Sequence, residues 1–374
     1  MNIFCEDTLL YGNEFFSDWG TVTPFSGNKL TAEDIQDADL LFVRSTTKVT
    51  PALLAKAGKL KLVATATSGQ EHVDSNYLRS KNIAFTAAPG CNAIAVAEYV
   101  IAAILHTLPH HNKPLFNLSV GIIGAGNVGS CLDKKLKALG IQTLLCDPPL
   151  AQGNDPRQFV GLDEVLQADI ITLHVPLIES GPHQTRNLLD AKRLLQLSPQ
   201  QVLINASRGE VLCPKTLSEI SLATARPALV MDVWDNEPDI DFDLAGRVDI
   251  ATPHIAGHTI EGKARGTEMV YQFAAQHLGL VATKTIWDFL PKARFPKSPL
   301  QQQFTESDIC TLVRQVYDIA KDSKQFIAHV NDAAGFRYSR KNYAIRREFA
   351  AMQVNAGKSE HSEAIYRLGF SSEI

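Results

Sequence analysis

Arg208 in INASRGE, Glu237 in DVWDNEP and His254 in TPHIAGHT place a cation, a carboxylate and an imidazole at successive points in the second half of the chain. Oxidising an alcohol removes a hydride from carbon and a proton from oxygen. His254 is suited to take the proton because imidazole titrates near neutrality. Glu237 can fix the ring tautomer and stabilise its protonated form. Arg208 can grip a substrate carboxylate with two parallel hydrogen bonds and polarise the reacting oxygen. Singly, each has an ordinary alternative: a surface ion pair for Arg208, a turn residue for Glu237 before Pro238, a loop histidine for His254 after Pro253. Jointly, at successive strand ends of one sheet, they are the equipment for moving a hydride and a proton.

Each of the three follows an apolar run that reads as a buried parallel strand. The pattern predicts strands over 119–123, 142–146, 170–174, 202–205, 228–233 and 248–251, separated by helical segments, which is a doubly wound sheet whose strand ends face one crevice. The first of these strands runs into GAGNVG and a helix over 128–139. Gly124 permits the tight turn, Gly126 lets backbone approach a pyrophosphate, and Gly129 lets the helix pack closely on the strand. Asn127 and Val128 present helix-start N–H groups to the phosphate charge. Asp147 closes the next strand, where a carboxylate binds the adenosine ribose hydroxyls and repels a phosphate. Pro148 and Pro149 follow it rather than an arginine. These features predict NAD, not NADP, as cofactor.

The first ninety residues repeat the alternation, with strands over 2–5, 40–44, 60–65 and 83–86, which indicates another parallel α/β sheet. Helical periodicity over 93–108 joins the two halves, and a helix over 261–280 returns the chain to the first. Residues 290–299, with three prolines, read as a linker. The expected architecture is α/β, with two doubly wound parallel-sheet domains, one of them a Rossmann dinucleotide-binding domain, and a smaller C-terminal α+β domain. The expected boundaries are 1–92 with 257–289 for substrate, 93–256 for NAD and 290–374 for the C-terminal domain.

Composition narrows the class. With 374 residues, 45% hydrophobic and 20% charged, the chain has the balance of a globular enzyme of two or three domains. A net charge of −4 argues against nucleic acid as partner. From residue 291 onward 13 Lys and Arg face 9 Asp and Glu, an excess that suits either a small anionic ligand or a solvated surface. No uninterrupted apolar run reaches the roughly 18 residues that would span a bilayer, so no membrane is expected. The first residues, MNIFCEDTLLYG, lack the cationic start of a signal peptide. Six scattered cysteines with no CxxC pair predict no metal site and a cytoplasmic location. His110 and His111 read as a surface loop, His72 and Asp74 as turn-stabilising, and His174 as packing beside the cofactor. Ile94, Val96, Val100, Ile101 and Leu105 form a core stripe.

Residues 118–266, through GAGNVG, NASRGE, DVWDNEP and PHIAGHT, resemble the D-2-hydroxyacid dehydrogenase family. The resemblance implies the roles given above for Arg208, Glu237 and His254. It further implies Asp232 and Gly257 at the nicotinamide end, Val175 at the adenosine side, and Ala206 and Ser207 among the cofactor contacts. VRSTTKV, ATATSGQEHVD, AAPGCNAIAVAEYV, GKARGT and RKNYAIRREF narrow it to a subgroup that acts on a phosphorylated hydroxy acid and has an extra C-terminal domain. That closer resemblance implies substrate contacts at Ser45 and Thr67, and a homodimer through the C-terminal domain. One position departs: His258 stands where the subgroup leads us to expect a substrate-contacting tyrosine, and imidazole is a shorter, titratable donor. For the substrate phosphate, the local basic excess suggests Arg44 and Lys48, joined by Arg346 or Arg347 unless those two are solvated surface. The competing readings are a sister enzyme of the 3-phosphoglycerate or hydroxypyruvate/glyoxylate type, and an NAD-sensing scaffold without catalysis.

Overall fold

Five strands near the start of the chain pair in parallel: β1 (Asn2–Glu6), β2 (Thr21–Phe25), β3 (Leu40–Val43), β4 (Leu62–Thr65) and β5 (Ala84–Thr86), in the order β2-β1-β3-β4-β5. This computed structural model describes residues 1–111, 113–292, 298–299, 305–355 and 360–372. β3 and β4 are buried along their whole length, which is why they read as unbroken apolar runs. β2 is an addition to the sequence reading. TVTPF is half exposed and carries Pro24, and an edge position tolerates a residue with no N–H to give.

The helix Ile260–Leu278 completes this first unit, which comprises 1–92 and 258–292. Thr259 caps its start by accepting from the Gly262 N–H at 3.0 Å, and Gly279 ends it at φ +67°. A Cβ on Gly266 would lie 2.5 Å from the carbonyl of Ala66, so glycine lets this helix rest on the end of β4. Tyr271 on the same helix stacks on Trp19 at 4.5 Å.

The second unit comprises 93–257 and the C-terminal residues. Its strands are β6 (Ser119–Ile123), β7 (Gln142–Cys146), β8 (Ile170–Leu173), β9 (Val202–Asn205), β10 (Ala228–Met231) and β11 (Ile250–Ala251). All pair in parallel in the order β11-β10-β9-β8-β6-β7. The chain leaves β6 toward β7 on one side and returns to β8 on the other. That reversal is the switch point at whose strand ends such sheets bind ligands.

The helix Ala93–Thr107 lies in the core of this unit. By mean hydropathy the 18 residues from Ala93 to His110 are long and apolar enough to cross a membrane, which corrects the reading by unbroken runs. Glu98, Tyr99 and His106 interrupt a run but are averaged away in a window; 72% of the stretch is buried, as in a core helix. Val96, Val100, Ile101 and Leu105 are core, whereas Ile94 is partly exposed beside Gly126 and Asn127.

The C-terminal residues form helices Glu306–Val316, Ile319–His329, Ala333–Lys341 and Glu360–Leu368, and a small parallel sheet of β12 (Ser298–Pro299), β13 (Gln353–Asn355) and β14 (Ser371–Ser372). They pack into the second unit: Phe349, Met352, Leu368 and Phe370 share a cluster with Val100, Leu132 and Leu136. A buried ion pair, Lys135 with Glu98 at 3.0 Å, fastens the junction. Glu98 also accepts from the Phe349 N–H at 2.8 Å, and Lys135 donates to the Leu368 carbonyl. Burial pushes the Glu98 carboxyl up, against the pull of Lys135. Ser323 accepts from the Ala251 N–H at 3.0 Å and so covers the edge of β11. Of the proposed linker at 290–299, residues 293–297 lie outside the described residues.

Candidate active site

β6 ends at Ile123 and the chain turns through Gly124 at φ +91°. A Cβ there would lie 2.7 Å from the His174 carbonyl and 2.9 Å from Val175 Cγ1; at Gly129 it would lie 2.1 Å from the Gly124 carbonyl. A Cβ on Gly126 would meet nothing within 4 Å. The turn is therefore packed shut at its outer glycines and open at the middle one. That is the shape a pyrophosphate needs at the start of the helix Asn127–Ala138. These residues fit a dinucleotide. Asp147 holds this turn from within the protein. Its Oδ2 accepts from the Ala125 N–H at 2.8 Å and its Oδ1 from the Leu150 N–H at 3.2 Å. On the other side of the same residue, Arg157 donates to the Ala125 carbonyl at 3.0 Å and to Ser130 Oγ at 2.7 Å. His174 bonds Thr172 through Nε2 at 3.0 Å, and burial pushes its imidazole down to about 3, so it is neutral.

At the end of β9, Asn205 folds the next turn around itself. Its Oδ1 accepts from the Ser207 N–H and hydroxyl at 3.1 and 2.8 Å, and its Nδ2 donates to the Arg208 carbonyl at 2.9 Å. Ala206 packs against the main core, and Arg208, half-buried, donates through Nη1 to the Ser207 carbonyl at 2.8 Å. A Cβ on Gly209 would lie 1.9 Å from the Trp234 carbonyl carbon. Glycine at 209 is what lets the turn bearing Arg208 come against the segment bearing Glu237.

β10 ends at Met231, and the next residue, Asp232, is 1% exposed. Its carboxylate accepts from the Ile255 and Ala256 N–H groups at 2.7 and 2.9 Å and from the Thr252 hydroxyl at 2.7 Å. The Tyr99 hydroxyl meets Thr252 at 2.7 Å, and the His254 N–H donates to the Asp232 carbonyl at 2.6 Å. Held on both sides, His254 adopts φ +57°. Its Nδ1 lies 2.8 Å from Glu237 Oε2, while Oε1 accepts from the Trp234 N–H at 2.9 Å. The Glu237–Pro238 peptide is cis. Burial would raise the Glu237 carboxyl, but the bond and charge of His254 and the Trp234 N–H hold it below the usual carboxylate range. An ionised carboxylate can only accept, so Nδ1 carries a proton, and in the neutral ring that tautomer leaves the lone pair on Nε2.

The first unit holds the other expected substrate residues. Ser45 and Lys48 are exposed and Arg44 is half-buried, on the loop after β3. That loop hangs from Glu6, which accepts from the Arg44 N–H at 2.8 Å and from the Thr46, Thr47 and Thr8 hydroxyls at 2.5, 2.5 and 2.6 Å. Thr67 donates to the Gly69 carbonyl at 2.7 Å and shares Thr65 with His72. Asp74 caps the helix Ser75–Ser80. The charges of Arg44 and Arg265 both oppose the burial that raises the Cys91 thiol, so two guanidinium groups share this corner. His258 is half-buried at the start of the returning segment, and Gly257 is the last residue of the second unit before it.

Arg346 requires correction. It is 6% exposed and donates to the Ala256 and Ala95 carbonyls at 2.8 and 2.6 Å, so it is not a solvent-facing phosphate clamp. Arg347 is half-exposed. Asn205, Glu6, Arg157 and Arg265 are additions that spacing did not reveal. Among the described residues no group of three His, Cys, Asp or Glu could hold a metal, and none of the six cysteines is in a disulfide.

Residues 106–256 match the family described as D-isomer specific 2-hydroxyacid dehydrogenase, NAD binding domain, and residues 289–369 match a domain of unknown function, DUF3410. With the sheet order and the glycine turn, this makes the chain an NAD-dependent dehydrogenase of the D-2-hydroxyacid class. It is 49% identical over 372 residues to the erythronate-4-phosphate dehydrogenase of Pseudoalteromonas atlantica, covering 99% of this chain and 100% of that one. The corresponding protein of Pseudoalteromonas translucida is 45% identical, with 99% of each chain covered. The chain belongs to the erythronate-4-phosphate dehydrogenase family. Similar folds include D-lactate dehydrogenase from Aquifex aeolicus complexed with NAD and lactic acid, with TM-score 0.60, 24% identity, and 75% of this chain and 96% of that one covered. NAD-bound 3-phosphoglycerate dehydrogenase from Entamoeba histolytica gives 0.61, 20%, 76% and 97%.

Proposed function

We propose that this chain oxidises 4-phospho-D-erythronate at C2 to (R)-3-hydroxy-2-oxo-4-phosphooxybutanoate, a step of vitamin B6 biosynthesis. The observation that carries the chemistry is the 2.8 Å pair of Glu237 and His254, with the other Glu237 oxygen already held by the Trp234 N–H. The near-full-length relatives carry the choice of substrate. Nε2 of His254 takes the C2 hydroxyl proton as the C2 hydride leaves, and Glu237 stabilises the imidazolium that forms. Arg208 binds the substrate carboxylate, with Ser45, Thr67 and His258 as further contacts. Arg44 and Lys48 take the phosphate. NAD, when bound, supplies the hydride acceptor. Gly124, Gly126, Asn127, Val128 and Gly129 would hold its pyrophosphate, Asp147 and Val175 its adenosine half, and Ala206, Ser207, Asp232 and Gly257 its nicotinamide half.

The test is NADH absorbance with 4-phosphoerythronate, 3-phosphoglycerate and hydroxypyruvate-type substrates. The expected result is activity with the first alone; none with any would favour a sensing scaffold, and preference for another would name a sister enzyme. His254→Ala should reduce turnover by about 100-fold or more with NAD binding retained. The exposed Tyr338 and Ile345, at 63% and 78%, support a homodimer through the C-terminal residues, checked by sedimentation. Six cysteines outside any disulfide support a cytoplasmic location, checked by fractionation.

A further inference from the structure

We propose that Arg346 is a positioning residue for proton transfer at His254, by which the C-terminal segment sets the geometry of the catalytic loop. The guanidinium donates through Nη2 to the carbonyls of Ala256 and Ala95 at 2.8 and 2.6 Å, and through Nη1 to that of Ile255 at 3.4 Å. Ile255 and Ala256 are the two residues after His254, and their N–H groups already donate to the Asp232 carboxylate. The stretch is thus gripped by its N–H groups from one side and by its carbonyls from the other. Ala95 belongs to the core helix Ala93–Thr107, so the same side chain ties the loop to that helix.

Two features indicate that the grip serves geometry at His254. A φ of +57° is uncommon for any residue but glycine, although histidine enters it more readily than most, and it is kept where the surroundings hold it. The residues brought together are about 90 and 251 positions from Arg346, so no local turn could replace it. Arginine suits the place because a planar fork reaches several carbonyls at once, whereas an ammonium is a point donor. Its burial is compensated by those carbonyls and by the Tyr317 ring, 4.3 Å from the guanidinium carbon. Tyr317, Tyr343, Glu98 and Asp322 are the titratable groups whose fields it feels, and Tyr343 is itself hydrogen-bonded to Asp322 at 2.5 Å.

The inference rests on His254 as the acid–base group, and the experiment keeps the two apart. Arg346→Met, Arg346→Lys and Arg346→Ala are made in the full chain and compared by hydrogen exchange without cofactor, by calorimetric NAD binding, and by the pH profile of turnover. For the Met variant, amides 254–257 should exchange at least tenfold faster while the helix Asn127–Ala138 keeps its protection. NAD affinity should stay within threefold, turnover should fall at least tenfold, and the pH profile should move. Lysine should recover part of the loss, as should millimolar guanidinium added to the Ala variant. Unchanged exchange at 254–257 overturns the clamp, and changed exchange with unchanged turnover and pH profile overturns its role in catalysis. Equal loss of NAD affinity and turnover with no rescue marks general damage, and that too overturns it. If the Met variant does not fold, Tyr317→Leu decides, since it loosens the guanidinium without emptying its site; normal exchange and turnover there overturn the proposal. Full turnover in His254→Ala would instead unseat the catalytic reading alone.

Discussion

Two loops, one in each unit, hang from a buried carboxylate at the end of a parallel strand, yet the two carboxylates answer their surroundings in opposite ways. Glu6, at the end of β1, gathers the loop 44–47 through two of its hydroxyls and one N–H, and also accepts from the Thr8 hydroxyl. Asp232, just past β10, gathers 252–256 with two N–H groups and one hydroxyl. Burial opposes ionisation in both, but the donors outweigh it at Glu6, which lies below its usual range, whereas burial prevails at Asp232, which lies above. The same device can therefore hold a loop either with a charge that is well solvated by protein donors or with one that remains costly. The second kind sits under the proposed base.

The comparison can be broken first at Asp232. Asp232→Ala leaves the two buried N–H groups of Ile255 and Ala256 without their acceptor, which costs on the order of 3 kcal/mol and lowers the melting temperature by roughly 6 °C. Displacing His254 in the process should reduce turnover about 100-fold. Calorimetry and steady-state rates check both, and a variant with near-normal turnover would remove Asp232 from the argument. Glu6→Gln should act more mildly and on a different quantity. The KM for the phosphorylated substrate should rise about tenfold, for ~1.4 kcal/mol of lost loop order, with kcat within about twofold. A fall in kcat without a change in KM would contradict the assignment of that loop to the phosphate.

The smallest effect sharpens the comparison through pH. Glu6 has its folded pKa below the ordinary 4.5, so its contribution is complete above that value and is lost as pH falls through the lowered one. Asp232 has its folded pKa above the ordinary 3.8, so its ionised form weakens the fold above that raised value, and acidification relieves it. Below about pH 4.5, protection factors should fall at 44–47 while holding at 252–256. Parallel loss in both loops would mean that one global event governs them.

Much of this was legible in the sequence, for stated reasons. Strands buried on both faces, such as β3, β4, β8 and β9, show as short apolar runs, and the glycine turn is fixed by contacts within a few residues of itself. Glu237 and His254 were read as partners because each follows a strand of one sheet. The edge strand β2 escaped notice because half-exposed TVTPF has neither an apolar run nor a clean alternation. Glu6 lay in plain view after NIFC, but its partners are about 40 residues away, and spacing does not report such closures. Arg346 was misread for the same reason. A local excess of basic residues counts charges without showing which of them the fold buries.

On the proposed cofactor contacts, the preference for NAD is not a single-site trait. Ala125 is pinned through its N–H by Asp147 and through its carbonyl by Arg157, and Asp147 also caps the short helix that begins at Pro148. On the proposed contacts, replacing Asp147 to admit a phosphorylated ribose would remove the repulsion and, in the same stroke, unpin the turn proposed to receive the pyrophosphate. On that reading, an engineer who wants the other dinucleotide would have to rebuild an anchor for Ala125 as well.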